Sequence, residues 1–358
     1  MGINAVFIEP LSQANAERSC RWSVGELGTL AEGAKNAVDT CMCVKEGEHV
    51  LILTDRGTLR VGEAIANSAE RVSVGKVKVF VLEDYTQRPA KQLPKEISES
   101  ISWADVTFYA AQSQPGELAV RGPFIRTAIK YARHAHMPGV TQELMETGMC
   151  ADYRQISELT KKIDETVKHC KTAKVTNKSG TDLTVEFHPA WRWKVSDGLY
   201  PSKGMWGNLP DGEIYTAAYK ANGTMVIDEL GDWFSPKYGV IEHTPVSLKV
   251  HDSRIDFSSV TCENIQLQRE FVEYVRMDPN GNRLGEFAIG TNIFLKKLTG
   301  NLLQDEKYPS VHCAFGDPYS EETGADWQAR THVDGIMLSC NIWIDGKQIM
   351  NEGRHLIH

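Results

Sequence analysis

Acids and histidines beside turn-forming residues are the feature of this sequence that most directly indicates chemistry. Glu213 follows a Pro-Asp-Gly turn, and an acid beside a rigid turn is well held for metal ligation. Glu286 lies in a small, apolar stretch between two glycines, where a carboxylate must be paired, neutralised or metal-bound. Taken alone, Glu213 is more readily a surface hairpin acid, and Glu286 is equally well a buried ion-pair partner.

Two further segments contain histidines. In YPSVHCAFGDPY (308–319), His312 lies in a short apolar run and Tyr319 follows a Gly-Asp-Pro turn. Such a histidine is more often a hydrogen-bonded core residue, and Tyr319 alone would be a packed aromatic. In THVDGIML (331–338), His332 and Asp334 are two residues apart, so on a strand both side chains leave the same face. This pair suits Zn, Co, Mn or Fe(II), although a structural His–Asp pair has the same pattern.

The four segments together predict a metal-binding catalytic site in the C-terminal half. Their ligand-type side chains are Glu213, Glu286, His312, His332, Asp334 and, as a sixth candidate, Tyr319. This set is large enough for two metal ions that share a water, as in co-catalytic hydrolases. A structural zinc site would favour cysteine-rich ligands, so a non-catalytic metal-dependent binding protein is the least favoured class.

The elements that must position these residues change character near residue 170. Before it, strand-like runs (49–55, 76–84 and 105–111) alternate with helix-like stretches (24–45, 60–70, 121–134 and 151–171), which is typical of a parallel sheet covered on both faces. After it, a hairpin over 174–187 is followed by strand-like runs at 224–230, 246–252 and 336–345, and a helix-like stretch at 269–277 is one of few in this half.

We therefore expect two domains. Residues 1–170 would form an α/β scaffold domain with a mainly parallel sheet. Residues 171–358 would form a mostly antiparallel, β-rich α+β domain that carries the metal site. No GxGxxG or P-loop follows any N-terminal strand, so that domain is expected to be scaffold, substrate wall or dimer surface rather than a nucleotide site.

Composition limits the partners and the location. A net charge of −8 and a pI near 5.8 argue against a nucleic-acid binder, which needs a clustered basic face. MGINAVFIEP lacks the features of a signal peptide, and no apolar run reaches the ~18 residues that span a membrane. We expect a cytoplasmic protein, and its eight cysteines are expected to be reduced thiols.

The strings GNLPDGE, LGEFAIGTN, HCAFGDPY and THVDG resemble those of the M29 family of metallo-aminopeptidases, the aminopeptidase T type with a thermophilic metalloprotease-like fold. The resemblance covers mainly residues 175–350. It implies a homodimer with an enclosed internal cavity that releases N-terminal amino acids from short peptides by means of two divalent ions (Zn, Co or Mn). It also implies catalytic roles for Glu213, Glu286 and Tyr319 and metal ligation by Glu213, Glu286, His312, Tyr319, His332 and Asp334.

Three features keep other interpretations open. A ring-cleaving dioxygenase of the dihydroxypyridine type is similar to this family but holds one Fe(II) through two histidines and an aspartate. It has a histidine at the position of Glu286 and lacks the PDGE acid, so the acids present here favour the hydrolase.

Four tryptophans, at 191, 193, 206 and 233, leave room for a non-peptide amide or amino-aromatic substrate. Gly335 stands where the family usually has a bulky residue, which indicates an altered substrate pocket.

Overall fold

The computed structural model describes residues 28–231 and 233–357. The first ten residues, on which the absence of a signal peptide was predicted, lie outside this range, as do Cys20 and the start of the helix predicted over 24–45. The described part of that helix begins at Leu30, because Thr29 and Glu32 form a reciprocal capping box. It ends in π-helical turns at Cys41.

Helices and strands alternate through the first half of the chain. In chain order the elements are α1 (Leu30–Asn36), β1 (Val50–Thr54), α2 (Leu59–Val72), β2 (Val77–Val81), α3 (Lys95–Ile101), β3 (Val106–Ala110), α4 (Leu118–Tyr131), β4 (Arg133–His136), α5 (Gln142–Glu146) and α6 (Tyr153–Val167).

Strands dominate the second half. They are β5 (Thr172–Thr176), β6 (Asp182–Glu186), β7 (Lys194–Ser196), β8 (Trp206–Asn208), β9 (Glu213–Ala217), β10 (Lys220–Ile227), β11 (Glu229–Leu230), β12 (Val246–His251), β13 (Arg254–Thr261), β14 (Leu284–Gly290), β15 (Val311–Gly316), β16 (His332–Met337), β17 (Asn341–Ile344), β18 (Lys347–Asn351) and β19 (Arg354–His355). The helices between them are α7 (Ser235–Tyr238), α8 (Ile265–Val275), α9 (Leu302–Asp305) and α10 (Ser320–Thr323).

A five-stranded sheet, here sheet A, has the order β2-β1-β3-β4-β8, and every pair in it is parallel. Strands β1 and β3 are buried along their whole length, because apolar clusters form on both faces. This confirms the predicted parallel sheet. The helix predicted over 121–134 ends at Tyr131, since Arg133–His136 pairs with β3 as the strand β4.

Two antiparallel sheets confirm the predicted character of the second half. Sheet B has the order β13-β12-β10-β6-β5-β17-β18-β19, and sheet C the order β11-β16-β15-β14-β9-β7. One large apolar core fills the space between them. The strand predicted over 336–345 is interrupted, because the backbone turns through a left-handed residue at Ser339.

Residue 170 falls between α6 and β5. Strand β8 lies beyond that point but pairs with β4 at the edge of sheet A. A division into domains 1–170 and 171–358 therefore stays a proposal. Within the part of the chain that the structure describes, no helix combines the length and apolarity that a bilayer crossing requires.

Candidate metal centre

One face of sheet C carries the side chains that were singled out in the sequence. The register of the strands brings these side chains close to one another. Glu286 lies opposite Ala314, and Ala314 lies opposite Asp334 on the next strand. His312 lies opposite Ala288. Paired residues of an antiparallel sheet share a face. Small side chains therefore separate the acids and histidines, and the other face supplies the large apolar residues of the core.

A β-bulge turns Glu286 toward this face. The register between β14 and β15 shifts between Leu284 and Glu286, so Leu284 enters the core although it lies two residues before an acid of the site. An ordinary strand would direct both side chains to the same face. Gly285 permits the bulge, since a Cβ there would lie 2.5 Å from the carbonyl oxygen of Gly316.

Glu286 connects two groups of potential ligands. Its Oε1 lies 3.4 Å from His312 Nε2, and its Oε2 lies 3.7 Å from His332 Nε2. His312 Nε2 is also 3.3 Å from Glu213 Oε2, and His332 Nε2 is 3.5 Å from Asp334 Oδ1. Glu213, Glu286 and His312 thus form one group that could hold a metal ion, and Glu286, His332 and Asp334 form a second.

Backbone contacts orient the second group. The imidazole of His332 donates from Nδ1 to the carbonyl oxygen of Asp317 at 2.8 Å, which leaves Nε2 directed at the carboxylates. Tyr319 packs on this imidazole with ring centroids 4.6 Å apart. The tyrosine itself has a left-handed backbone (φ 50°), a conformation that costs a non-glycine residue about 1–2 kcal/mol and that here places its ring over the site.

Three charged residues that the sequence did not single out complete the centre. Lys307 is fully buried, and its Nζ lies 2.5 Å from Glu213 Oε1, 2.6 Å from Glu306 Oε1 and 3.8 Å from Asp211 Oδ1. Glu306 forms a third potential ligand group with His312 and Asp334. Asp211 was visible only as part of a turn, and the run QDEKY looks like any charged surface segment.

The charges in this centre shift the pKa of both histidines upward. Burial alone would lower the pKa of His312, but its hydrogen bond to Glu286 and the charge of Glu213 raise it to about 9. Asp334 and Glu286 likewise overcome burial and raise the pKa of His332 to about 10. Burial raises the pKa of Glu213, and Lys307 and His312 oppose that shift. A metal ion must therefore displace protons from the imidazoles.

The segment that carries Glu306 and Lys307 is held by the N-terminal half. Gln304 Oε1 accepts hydrogen bonds from the hydroxyl of Thr147 at 2.8 Å and from the N–H of Gly148 at 2.9 Å. Leu303 enters the core on one face of sheet A. Asp305 accepts backbone hydrogen bonds from residues 299, 300 and 301. Contacts from both halves of the chain thus fix the lysine beside Glu213.

The four tryptophans have different ring neighbours. Trp191 contacts Trp327, and Trp193 packs in the core against Phe187 and Phe287. Trp206 contacts His136, and Trp233 contacts Phe234.

Gly335 lies on the core face of β16. A Cβ there would be 2.8 Å from Cδ1 of Ile227, which is itself fully buried. The core thus leaves no room for a larger side chain at position 335, where the family usually has one. Gly335 lies on the face of β16 opposite the metal centre.

Two solved structures share this fold. Wild-type AmpT from Thermus thermophilus superposes with a TM-score of 0.67 and 15% identity over 92% of this chain and 99% of that one. A 2,5-dihydroxypyridine dioxygenase from Pseudomonas putida KT2440 gives a TM-score of 0.66 and 16% identity over 92% of this chain and 97% of that one. A search of curated protein sequences finds no match. Since the two structures are named for different proteins, their likeness establishes the fold and leaves the chemistry to the residues.

A match to a family model shows which protein family the chain belongs to. The model for the thermophilic metalloproteases (M29) matches residues 140–335, which include all six residues singled out in the sequence. That match spans more than half of the chain and confirms the resemblance drawn from the four short strings. The chain belongs to the thermophilic metalloprotease (M29) family, and it is a hydrolase.

Proposed function

We propose that this protein is a metal-dependent aminopeptidase that removes N-terminal amino acids from short peptides with the help of two divalent ions, Zn, Co or Mn. The observation that carries the proposal is the position of Glu286, whose two carboxylate oxygens face two different histidines at 3.4 and 3.7 Å. One shared carboxylate between two ligand groups is suited to a pair of ions rather than a single one.

The donor set fits two divalent ions. Oε2 of Glu213 and Oε2 of Glu286 are buried and accept no hydrogen bond, and such orphaned acceptors are costly unless a cation or a proton satisfies them. Carboxylates and imidazoles suit Zn, Co or Mn. The carboxylates around Lys307 and the histidines are those of Asp211, Glu213, Glu286, Glu306 and Asp334.

Charge balance supports the same number of ions. When the five carboxylates are ionised and the histidines are neutral, Lys307 offsets one negative charge and four remain. Two divalent cations would neutralise those four charges, whereas one would leave a buried excess of two. A low-dielectric site tolerates such an excess poorly.

When bound, the ions would lower the pKa of a shared water and polarise the scissile carbonyl. The metal ligands would be Glu213, Glu286, His312, His332, Asp334 and Tyr319. We assign proton transfer to one of the two glutamates, Glu213 or Glu286, each of which has a buried oxygen free of hydrogen bonds. The Tyr319 hydroxyl alternatively donates to the oxyanion that develops on the substrate. Tyr319 as a whole is 41% exposed, so a substrate can reach it.

The test compares peptides that differ only at the N-terminus. Protein stripped with EDTA is expected to lose cleavage of a short peptide with a free amino group and to regain it with Co or Zn. The same peptide with an acetylated N-terminus is the control and should remain intact. Metal analysis is expected to give two ions per chain, and the oligomeric state, proposed to be a homodimer, can be measured on the same sample. Full activity in the presence of chelator would falsify the proposal.

The alternative is a single-iron dioxygenase that would use His312, His332 and Asp334. Among the residues that the structure describes, none of the three potential ligand groups contains both histidines, which favours the hydrolase. Oxygen consumption by the Fe(II)-loaded protein with a hydroxylated pyridine, together with one iron per chain, would decide for the dioxygenase.

A further inference from the structure

The two ligand groups lie at different distances from the buried ammonium group of Lys307. Lys307 is fully buried and lies against the first group, with Nζ 2.5 Å from Glu213 Oε1. Glu213 therefore has one oxygen bound to a lysine and only the other, 3.3 Å from His312 Nε2, available for a metal ion. In the second group, the carboxylates of Glu286 and Asp334 face His332 instead.

Lys307 is held in this position by several contacts. It also bonds Glu306 at 2.6 Å and faces Asp211 at 3.8 Å. Asp211 is in turn fixed by hydrogen bonds from Ser196 and Tyr200. The ammonium group is thus a fixed positive charge that solvent does not screen, in contrast to a surface lysine that could swing away when a metal ion binds.

We propose that Lys307 makes the two ion positions unequal. The ion at Glu286, His332 and Asp334 binds first and tightly. The ion at Glu213 and His312 binds second and more weakly, because Lys307 already neutralises part of Glu213 and repels a nearby cation. This inference rests on the proposed two-ion site and deepens it. Lys307 is a positioning residue in this scheme, since it acts through Glu213 and touches neither the ions nor the substrate.

The consequence is an enzyme whose second ion exchanges while the first stays bound. Its peptidase activity would then follow the free concentration of the divalent ion over the range that fills the second position. The same lysine would keep Glu213 in one orientation, so that only its second oxygen serves as a ligand.

Calorimetric titration of the metal-free, full-length protein with Co²⁺ tests the inference. The wild type is expected to bind two ions in two separate steps. In Lys307→Met the weaker step is expected to tighten by at least about tenfold, since a nearby buried charge is removed, while the tighter step changes by less than about threefold. Lys307→Arg retains the charge and should keep two separate steps. Lys296→Met is the control, because Lys296 is exposed and its Nζ donates to the backbone oxygen of Ile293.

Several outcomes would overturn the inference. They are two equal steps in the wild type, an unchanged second step in folded Lys307→Met, and a single ion bound by both proteins. Lys307→Gln, which keeps a hydrogen-bond donor for Glu213, replaces the methionine variant if the latter does not fold. Binding is measured without substrate, so the role of Lys307 and the peptidase function are tested separately, and only a single bound ion would count against both. Peptide cleavage with two equal ions would refute only the role of Lys307, and the expected titrations without any peptide cleavage would refute only the proposed function.

Discussion

Gln304 on α9 accepts a hydrogen bond at 2.9 Å from the backbone N–H of Gly148, a residue 156 positions earlier in the chain. The same oxygen accepts from the hydroxyl of Thr147. Glu306 and Lys307 follow within three residues of this anchor. The charged side of the metal centre is therefore coupled to the packing of the N-terminal half.

Replacing Gln304 by alanine should weaken this anchor. The N–H of Gly148 would lose its partner in a buried position, at a cost of about 1–3 kcal/mol in the free energy of unfolding. We also expect lower peptidase activity at saturating metal, since Lys307 and Glu306 would be less firmly placed. Urea unfolding and activity assays provide the check. Gln142→Ala removes an exposed contact to Glu146 and should change neither quantity; equal effects of both substitutions would argue against the coupling.

Glu286 and Glu213 should differ in how many ions depend on them. Glu286 belongs to two ligand groups, and Glu213 to one. On dialysis against a buffer with enough free Co²⁺ for the wild type to retain two ions, Glu286→Gln is therefore expected to lose both ions, whereas Glu213→Gln keeps one. Elemental analysis of the dialysed proteins measures this. Glu321→Gln alters an exposed acid near Tyr319 and should keep two ions. Equal losses from the two buried variants would contradict a shared carboxylate.

Tyr319→Phe separates the hydroxyl from the ring. The ring contacts to His332 and Tyr215, at 4.6 and 6.0 Å between centroids, would remain, so Tm should not change. If the hydroxyl stabilises the developing oxyanion, kcat should fall about 100-fold with little change in KM. Tyr215→Phe is the matched control, for which a small effect is expected. A Tyr319→Phe enzyme with wild-type kcat would rule out this role.

The candidate ligand positions were accessible from the sequence because four short segments together supply enough acids and histidines for a metal site, although most of the segments have an ordinary explanation when taken alone. Glu286 lies in an apolar run, and His332 and Asp334 have the spacing that places two side chains on one face of a strand. The parallel and antiparallel sheets were likewise indicated by local periodicity. These features depend on neighbours within a few residues.

The features that could not be predicted from the sequence depend on contacts between segments that are far apart in the chain. Lys307 becomes a buried cation where Leu303 packs into the core beside sheet A and Gln304 bonds the N–H of Gly148. The bulge that separates Leu284 from Glu286 arises from pairing with β15. The helix predicted over 121–134 includes the first two residues of β4, since RHAH has little strand propensity of its own. The segment is extended because β3 and β8 pair on either side of it.

A buried histidine on strand β4 of sheet A should make stability depend on pH. Burial lowers the pKa of His134 to about 3, whereas an unfolded histidine titrates near pH ~6.5. Below pH ~6.5 the unfolded chain therefore binds a proton that the folded chain does not, and stability falls as the pH falls toward 3. The contribution of one such residue is about 1.4 kcal/mol per pH unit.

His134→Gln should remove this contribution. The free energy of unfolding of the metal-free protein, measured by urea titration between pH 6 and pH 4, is expected to fall less steeply in the variant than in the wild type. The comparison is between slopes, so a constant loss from the substitution itself does not matter. His243→Gln replaces a histidine whose side chain is 93% exposed and should leave the slope unchanged. Parallel slopes for wild type and His134→Gln would refute the assignment.

Gly335 provides a test of which face of β16 carries the chemistry. A Cβ at this position would lie 2.8 Å from Cδ1 of Ile227 and 3.1 Å from its Cγ1. Gly335→Ala should therefore overpack the core and destabilise the protein by about 1–3 kcal/mol. Ile227→Val removes the Cδ1 methyl and should recover part of this loss in the double variant, a coupling that a double-mutant cycle of unfolding free energies measures. Because position 335 faces away from His332 and Asp334, kcat per folded molecule should stay at the wild-type value in all three variants. A large change in kcat or in peptide preference, with unfolding unaffected, would instead place position 335 in the substrate pocket.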